Sequence, residues 1–287
     1  MDVKSAFLYP KIEEEVYMAQ PEGFQRGNLV CRLHKALYGL KQAPRVWYQE
    51  INAFLQSIGL QNSTADPNLY MDAHNLLLLF VDDVLIFGKG VNPLSKLKHQ
   101  LSERYDMTDL GSVQQFLGMQ IFQDRASRII QICQTTYSHK ILNKFGIDKC
   151  NGISISIEQL PLQGNNSTAS PDAQHYYQSV AGSLMHAMLG TRPDLAYTVS
   201  ILSKFNSNPS DKHLMAAKWA LRYLQHTSTF GITYNGAEEH RSITAFSDTD
   251  WGNDKDTRRS VFSYVFDQWR SSILEKQMLD SSCTVIN

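Results

Sequence analysis

The sequence predicts a mixed helix-and-sheet protein: α/β or α+β in its first part, helical in the middle, and opening a second sheet near its end. Three observations carry that prediction. Short apolar runs bounded by turn residues dominate the first part, around one clear helical pattern. Three helical patterns then follow one another over 174–190, 194–206 and 211–226. Strand-like segments return at 230–234, 243–247 and 261–266.

In order along the chain, 3–9 is a short apolar segment that begins directly after Asp2. Pro44 opens a helix, since proline pre-sets φ at a first helical position. Trp47, Ile51, Phe54, Leu55 and Ile58 recur at helical spacing, and Gly59 is a natural stop. The apolar runs 76–80 and 84–87, joined by Val81-Asp82-Asp83, predict a buried hairpin. A helix over 93–105, strands over 116–122 and 129–133 and a helix over 137–145 follow. Residues 158–172, rich in Gly, Asn, Ser and Thr with Pro171, make the best linker.

Apolar residues are 43% and charged residues 19% of the 287, a globular composition rather than a disordered one. The formal net charge of −1 excludes a generally basic nucleic-acid binder, so any such surface must come from local clustering. Cys31, Cys133, Cys150 and Cys283 lie far apart with no Cys-x-x-Cys pair. That argues against a zinc site or disulfide framework and makes an intracellular compartment, cytoplasmic or nuclear, the expectation. Asp2 and Lys4 stand where the apolar core of a signal peptide would begin, and the longest apolar run, 76–81, is too short to span a bilayer. No membrane partner is expected.

Two adjacent carboxylates at the tip of an apolar hairpin are costly unless solvent, hydrogen bonds or cations compensate them. Taken alone, Asp82-Asp83 reads as a tight turn, where aspartate is favoured for its backbone hydrogen bonds. Asp2 shifts the balance, because it directly precedes another apolar strand. If the two lie side by side, three carboxylates converge at one sheet end. Hard oxygen ligands of this kind suit Mg²⁺. Two such ions would activate an attacking hydroxyl and steady the leaving oxygen of a phosphoryl transfer. On these residues alone the reading is a generic two-metal nucleotidyl transferase or nuclease.

The surrounding words are more specific. Asp2-Val-Lys-Ser-Ala-Phe-Leu, followed by Glu14-Glu-Val-Tyr-Met-Ala-Gln-Pro-Glu-Gly-Phe24, resembles the first palm motif of copia-type retrotransposon reverse transcriptases. Leu37-Tyr-Gly-Leu-Lys-Gln-Ala-Pro-Arg-Val-Trp-Tyr48 resembles their second motif, and Phe80-Val-Asp-Asp83 their catalytic hairpin, with phenylalanine where tyrosine is usual. Asp109-Leu-Gly-Ser-Val-Gln-Gln-Phe-Leu-Gly118, Thr191-Arg-Pro-Asp-Leu-Ala-Tyr197 and the segment Ala217 to Tyr223 match later segments in the family's order. Ser247-Asp-Thr-Asp-Trp-Gly252 with Arg258-Arg-Ser260 resembles the start of a ribonuclease H domain.

The resemblance implies an α+β fold. A reverse-transcriptase palm, a ferredoxin-like antiparallel sheet with packed helices, would occupy 1–125. A helical thumb and connection region would occupy 126–230, and a truncated ribonuclease H-like sheet 231–287. It implies RNA-directed DNA polymerase activity on an RNA template and a DNA primer, with deoxynucleoside triphosphates and two Mg²⁺ ions, Mn²⁺ substituting. Asp2 and Asp82 would be the principal metal ligands and Asp83 the auxiliary carboxylate. Phe7 would sit under the incoming sugar as a steric gate. Gly39, Lys41 and Gln42 would lie near the nucleotide and template. The stretch 26–48 carries Arg26, Arg32, Lys35, Lys41 and Arg45, no acid, and interleaved Tyr38, Trp47 and Tyr48. Such a strip could hold a phosphate backbone despite the neutral total, although Trp47 also fits the core.

The sequence also departs from the family. The match opens one residue before the first palm aspartate, so a fingers subdomain is expected to be missing, at a cost in rate of several orders of magnitude. Tyr9-Pro10 replaces the usual asparagine-glycine turn. Of the ribonuclease H carboxylates only Asp248 matches; Asp250 is its neighbour, and Thr284 stands where a glutamate belongs. No ribonuclease H activity is expected. The second reading of the same residues is a catalytically incompetent remnant that keeps the palm fold and binds nucleic acid.

Overall fold

The structure, a computed structural model, describes residues 1–157, 164, 168–236, 243–249 and 262–268. The chain divides into two compact units, Met1–Val113 and Gln114–Asn287. Among the described residues no helix is long and apolar enough to cross a membrane.

The first unit contains β1 (Asp2–Val3), β2 (Tyr17–Ala19), β3 (Val30–Arg32), α1 (Ala43–Ser57), β4 (Gln61–Asn62), β5 (Leu69–Met71), β6 (Asn75–Phe80), β7 (Asp83–Gly88), α2 (Val91–Arg104) and β8 (Met107–Thr108). Six of the strands form one antiparallel sheet in the order β4-β5-β6-β7-β1-β8, while β2 and β3 pair as a separate hairpin. The strand that comes first in the chain thus lies inside the sheet. Within β6 the buried residues alternate, Asn75, Leu77 and Leu79, as a sheet with one covered face requires. Trp47, Ile51 and Leu55 recur every four residues along α1, and Leu97 and Leu101 along α2. These stripes meet Val3, Tyr70, Leu77, Leu79 and Val84 in one core.

The helix expected from Pro44 begins at Ala43, with Gln42 at its N-cap, and ends before Gly59, whose φ of +97° suits glycine. The apolar segment 3–9 is strand only at Asp2–Val3. Ser5 turns left-handed at φ 53° and Ala6–Leu8 forms a single 3₁₀ turn. Val3 and Ala6 are both buried, and a spacing of three places them on one side of a turn, where strand alternation would separate them.

The second unit contains β9 (Gln115–Phe116), β10 (Met119–Asp124), β11 (Ile129–Cys133), α3 (Thr135–Phe145), α4 (Pro171–Gly190), α5 (Ala196–Ser203), α6 (Asp211–His226), β12 (Gly231–Asn235), β13 (Ile243–Thr249) and β14 (Phe262–Gln268). The single strand expected over 116–122 is instead the hairpin β9–β10. Leu117 and Gly118 both take positive φ, the pattern of a tight two-residue turn. The segment 230–234 does not start the last sheet: β12 pairs with β11, giving the order β12-β11-β10-β9. Gly231 permits this, because a Cβ there would lie 2.3 Å from the Ile132 carbonyl oxygen. Among the described residues the last sheet is β13 paired with β14. Helices α3, α4, α5 and α6 share a core around Tyr177, Leu184, Val199 and Leu221. Most of the linker expected over 158–172 lies outside the described residues, as do Asp250, Trp251, Arg258, Ser260 and 281–284.

The Thr191-Arg-Pro-Asp segment closes this helical core. Arg192, 1% exposed, pairs with Asp194 at 2.6 Å and donates to the Thr227 carbonyl at 2.8 Å. The Tyr223 hydroxyl donates to the same Asp194 carboxylate at 2.9 Å. A buried guanidinium is tolerated when its charge and donors are matched in this way.

Candidate active site

The site is built where β1 enters the sheet. Asp2 stands directly opposite Asp83 on one side and Thr108 on the other. Val3 and Val84, the next residue of each strand, are buried against the helices. Successive strand residues face opposite sides, so Asp2 and Asp83 share the open face. Asp82 lies beside them in the two-residue turn between β6 and β7. The Val3 N–H donates to the Asp82 carbonyl at 2.9 Å and the Val84 N–H to the Met1 carbonyl at 2.8 Å, which ties β1 to the turn.

The turn itself is strained. Val81, its first residue, has φ 57°, a conformation that glycine prefers in hairpin turns and that costs a β-branched residue roughly 1–3 kcal/mol. The Trp47 indole N–H donates to the Val81 carbonyl at 2.7 Å. That ring is buried and packs edge-on against Tyr105, centroids 5.3 Å apart.

Of the other expected site residues, Phe7, Gly39, Lys41 and Gln42 lie in the same unit as the three aspartates and Asp248 does not. Phe7, half-buried on the 3₁₀ turn after β1, packs against Tyr38 with ring centroids 4.7 Å apart. Tyr38 begins the short run into α1: Gly39 at φ +97°, exposed Lys41, and Gln42 at the N-cap. Asp248 is in the second unit, exposed on β13 opposite Ser263, whose hydroxyl donates to its carbonyl at 3.2 Å.

Burial first, then the charges of Asp82 and Asp2, hold the Asp83 carboxyl above its ordinary range. The nearby acids Asp106 and Asp109 are engaged by Lys4 at 3.0 Å and Lys98 at 2.9 Å. Among the described residues no lysine or arginine pairs with Asp2, Asp82 or Asp83. The donor set, three carboxylates, has the chemistry of a hard divalent site. As placed, the side chains share a sheet end without forming a finished cage: among the described residues no three His, Cys, Asp or Glu groups stand close enough to hold one ion.

Sequence pattern assigns no part in the site to the Trp47 indole N–H or to Val81. Nothing in an apolar run ending Phe80-Val81 signals a left-handed valine, and an indole in a helical stripe reads simply as core.

Residues 1–159 match the family model described as reverse transcriptase (RNA-dependent DNA polymerase). The chain is 39% identical over 280 residues to the retrovirus-related Pol polyprotein from transposon TNT 1-94 of Nicotiana tabacum, a match spanning 93% of this chain and 21% of that protein. It is 35% identical over 272 residues to the corresponding polyprotein from transposon RE1 of Arabidopsis thaliana, spanning 92% of this chain and 18% of that one. The chain thus spans about a fifth of the length of these polyproteins. A putative transposon Ty5-1 protein of Saccharomyces cerevisiae is 32% identical over 277 residues, 92% of this chain and 88% of that protein. By family model and relatives alike, the chain belongs to the reverse transcriptase family of copia-type retrotransposons.

Proposed function

We propose that this chain carries the polymerase centre for RNA-directed DNA synthesis, extending a DNA primer on an RNA template with deoxynucleoside triphosphates. The observation that carries the reading is the Asp2–Asp83 register with Asp82 in the adjoining turn, inside the segment that matches the family. The sheet of the first unit also supports a palm within 1–125. Its elements β1, α1, β6, β7, α2 and β8 run βαββαβ with β1 between β7 and β8, the arrangement of a ferredoxin-like sheet. The helices of the second unit are proposed as the thumb and connection region, 126–230, and β13–β14 as the start of a ribonuclease H-like sheet within 231–287, β12 staying with the sheet of β11.

In this reading Asp2 and Asp82 hold divalent metal and Asp83 is auxiliary. Bound Mg²⁺, or Mn²⁺ in its place, would supply activation of the attacking hydroxyl and charge relief at the leaving oxygen. Burial raises the Asp83 carboxyl most, and the like charges of Asp82 and Asp2 that add to it are what a bound cation relieves. Phe7, braced by Tyr38, lies under the sugar and excludes a 2′-hydroxyl. Lys41 offers a point charge to phosphate, and Gly39 and Gln42 line the approach to α1. Arg26, Lys35 and Arg45, all exposed, extend the basic strip along which a phosphate backbone can lie. Asp248 is proposed as a vestige of a ribonuclease H site; cleavage of an RNA–DNA hybrid that Asp248→Asn abolishes would show a working centre instead.

The test is primer extension on an RNA template by the purified 287-residue chain, with Mg²⁺ and separately Mn²⁺, beside Asp82→Asn. Slow extension, reduced by the missing fingers contacts, that the substitution removes is the expected result. Folded protein that extends no primer with either ion would refute the proposal.

A further inference from the structure

The polymerase reading gives no role to the buried contact between Trp47 and Val81. Trp47, 2% exposed, donates its indole N–H to the Val81 carbonyl at 2.7 Å. An indole buried this deeply needs an acceptor, and a valine at φ 57° persists only where its surroundings over-determine it. One bond meets both requirements. The ring cannot follow the turn if the turn moves, because Tyr105 and Tyr9 hold it at centroid distances of 5.3 and 6.0 Å. Tyr9 is fixed in turn, its hydroxyl accepting the Asp106 N–H at 2.7 Å. The next residue after Val81 is Asp82, whose carbonyl receives the Val3 N–H. Whatever fixes the Val81 peptide therefore fixes where β1, and Asp2 with it, joins the sheet.

We propose that Trp47 is a positioning residue: its indole N–H pins the left-handed Val81 peptide and so sets Asp82 and Asp83 against Asp2. The catalytic meaning of this role rests on the polymerase reading, whereas the mechanical role can be read without any activity.

Amide exchange followed by NMR on the full chain tests it. In Trp47→Phe, which keeps an aromatic ring but removes the donor, Val3 and Val84 should exchange about two- to tenfold faster relative to Leu77, the effect of one hydrogen bond. Ile51→Val, a core loss one turn along α1, should leave that ratio unchanged. Adding Val81→Gly to Trp47→Phe should return the ratio toward that of the unaltered protein, because glycine needs no pinning at positive φ. In the unaltered protein the Trp47 indole proton should exchange in step with Val3 and Val84, a measurement that decides the matter should Trp47→Phe not fold. An unchanged ratio in Trp47→Phe, or an indole proton that exchanges freely while both amides stay protected, overturns the proposal. In primer extension, Trp47→Phe should lower turnover and leave the nucleotide KM unchanged; a rise in KM alone would make Trp47 a binding residue and also overturn it. If the unaltered protein extends no primer, the polymerase reading fails and the exchange ratio still decides the role of Trp47.

Discussion

Asp2 and Asp83 stand directly opposite each other on neighbouring antiparallel strands, although the chain between them includes α1 and three of the sheet's six strands. Their side chains occupy the face away from the helices, and Asp82 turns the chain beside them. The register therefore sets the third aspartate, rather than the second, across from the first.

This distinction can be measured. Asp2→Asn and Asp82→Asn are each expected to lower kcat/KM for the incoming nucleotide by about 10²- to 10³-fold, the value of several kcal/mol of lost charge stabilisation. Asp83→Asn, at the proposed auxiliary position, should lose less. The reverse ranking would exchange the roles of Asp82 and Asp83.

Stability should respond to pH at the same corner. The Asp83 carboxyl is raised on folding, by burial first and then by Asp82 and Asp2. A raised carboxyl contributes stability that is fully present below its unfolded value and is lost as pH rises through the folded one. At neutral pH, without divalent cation, Asp83→Asn should therefore melt above the unaltered protein. The gain should stay under about 1 kcal/mol, since solvent screens a half-exposed group. In acid below the ordinary carboxylate range the two curves should merge. Added Mg²⁺ should stabilise the unaltered protein more than the variant, by mass action on the folded state.

Phe7 gives a prediction about substrate choice. Phe7→Ala removes the ring that packs on Tyr38 and should raise incorporation of ribonucleotides relative to deoxynucleotides by roughly 10- to 100-fold. Competition between the two nucleotide types in primer extension reads this directly. Unchanged discrimination would leave Phe7 as core packing alone.

In the second unit, Asp194→Ala leaves the Arg192 guanidinium buried without its counter-charge and removes the acceptor of the Tyr223 hydroxyl. A loss of about 3–5 kcal/mol in chemical denaturation is expected. A change near zero would mean that Thr227 alone satisfies the arginine.

Much of this was legible beforehand because the local pattern and the final structure agree. The stripe of Trp47, Ile51 and Leu55 gave α1, and the apolar runs around Asp82-Asp83 gave the β6–β7 hairpin. Residues 211–226 matched α6 at both ends. What escaped is what local pattern cannot encode. Ser5, Val81 and Leu117 adopt positive φ although none is glycine, so one expected strand became a turn and another became a hairpin. Gly231–Asn235 finds its partner in Ile129–Cys133, far back in the sequence, and no window around 231 contains that information. The neighbourhood of Asp2 and Asp83 was conditional in the sequence, resting on two strands lying side by side.

The placement of β1 bears on how the protein is made. It is two residues long, yet its segment ties the sheet together through contacts spanning 83 residues to Val84 and 102 to Asp106. Contacts so distant form late, because chain closure must come first. Until they form, β7 and β8 each present an unpaired edge, and unpaired edges invite other chains. Refolding yield should then fall as protein concentration rises, because a neighbouring molecule competes for the slot that β1 fills.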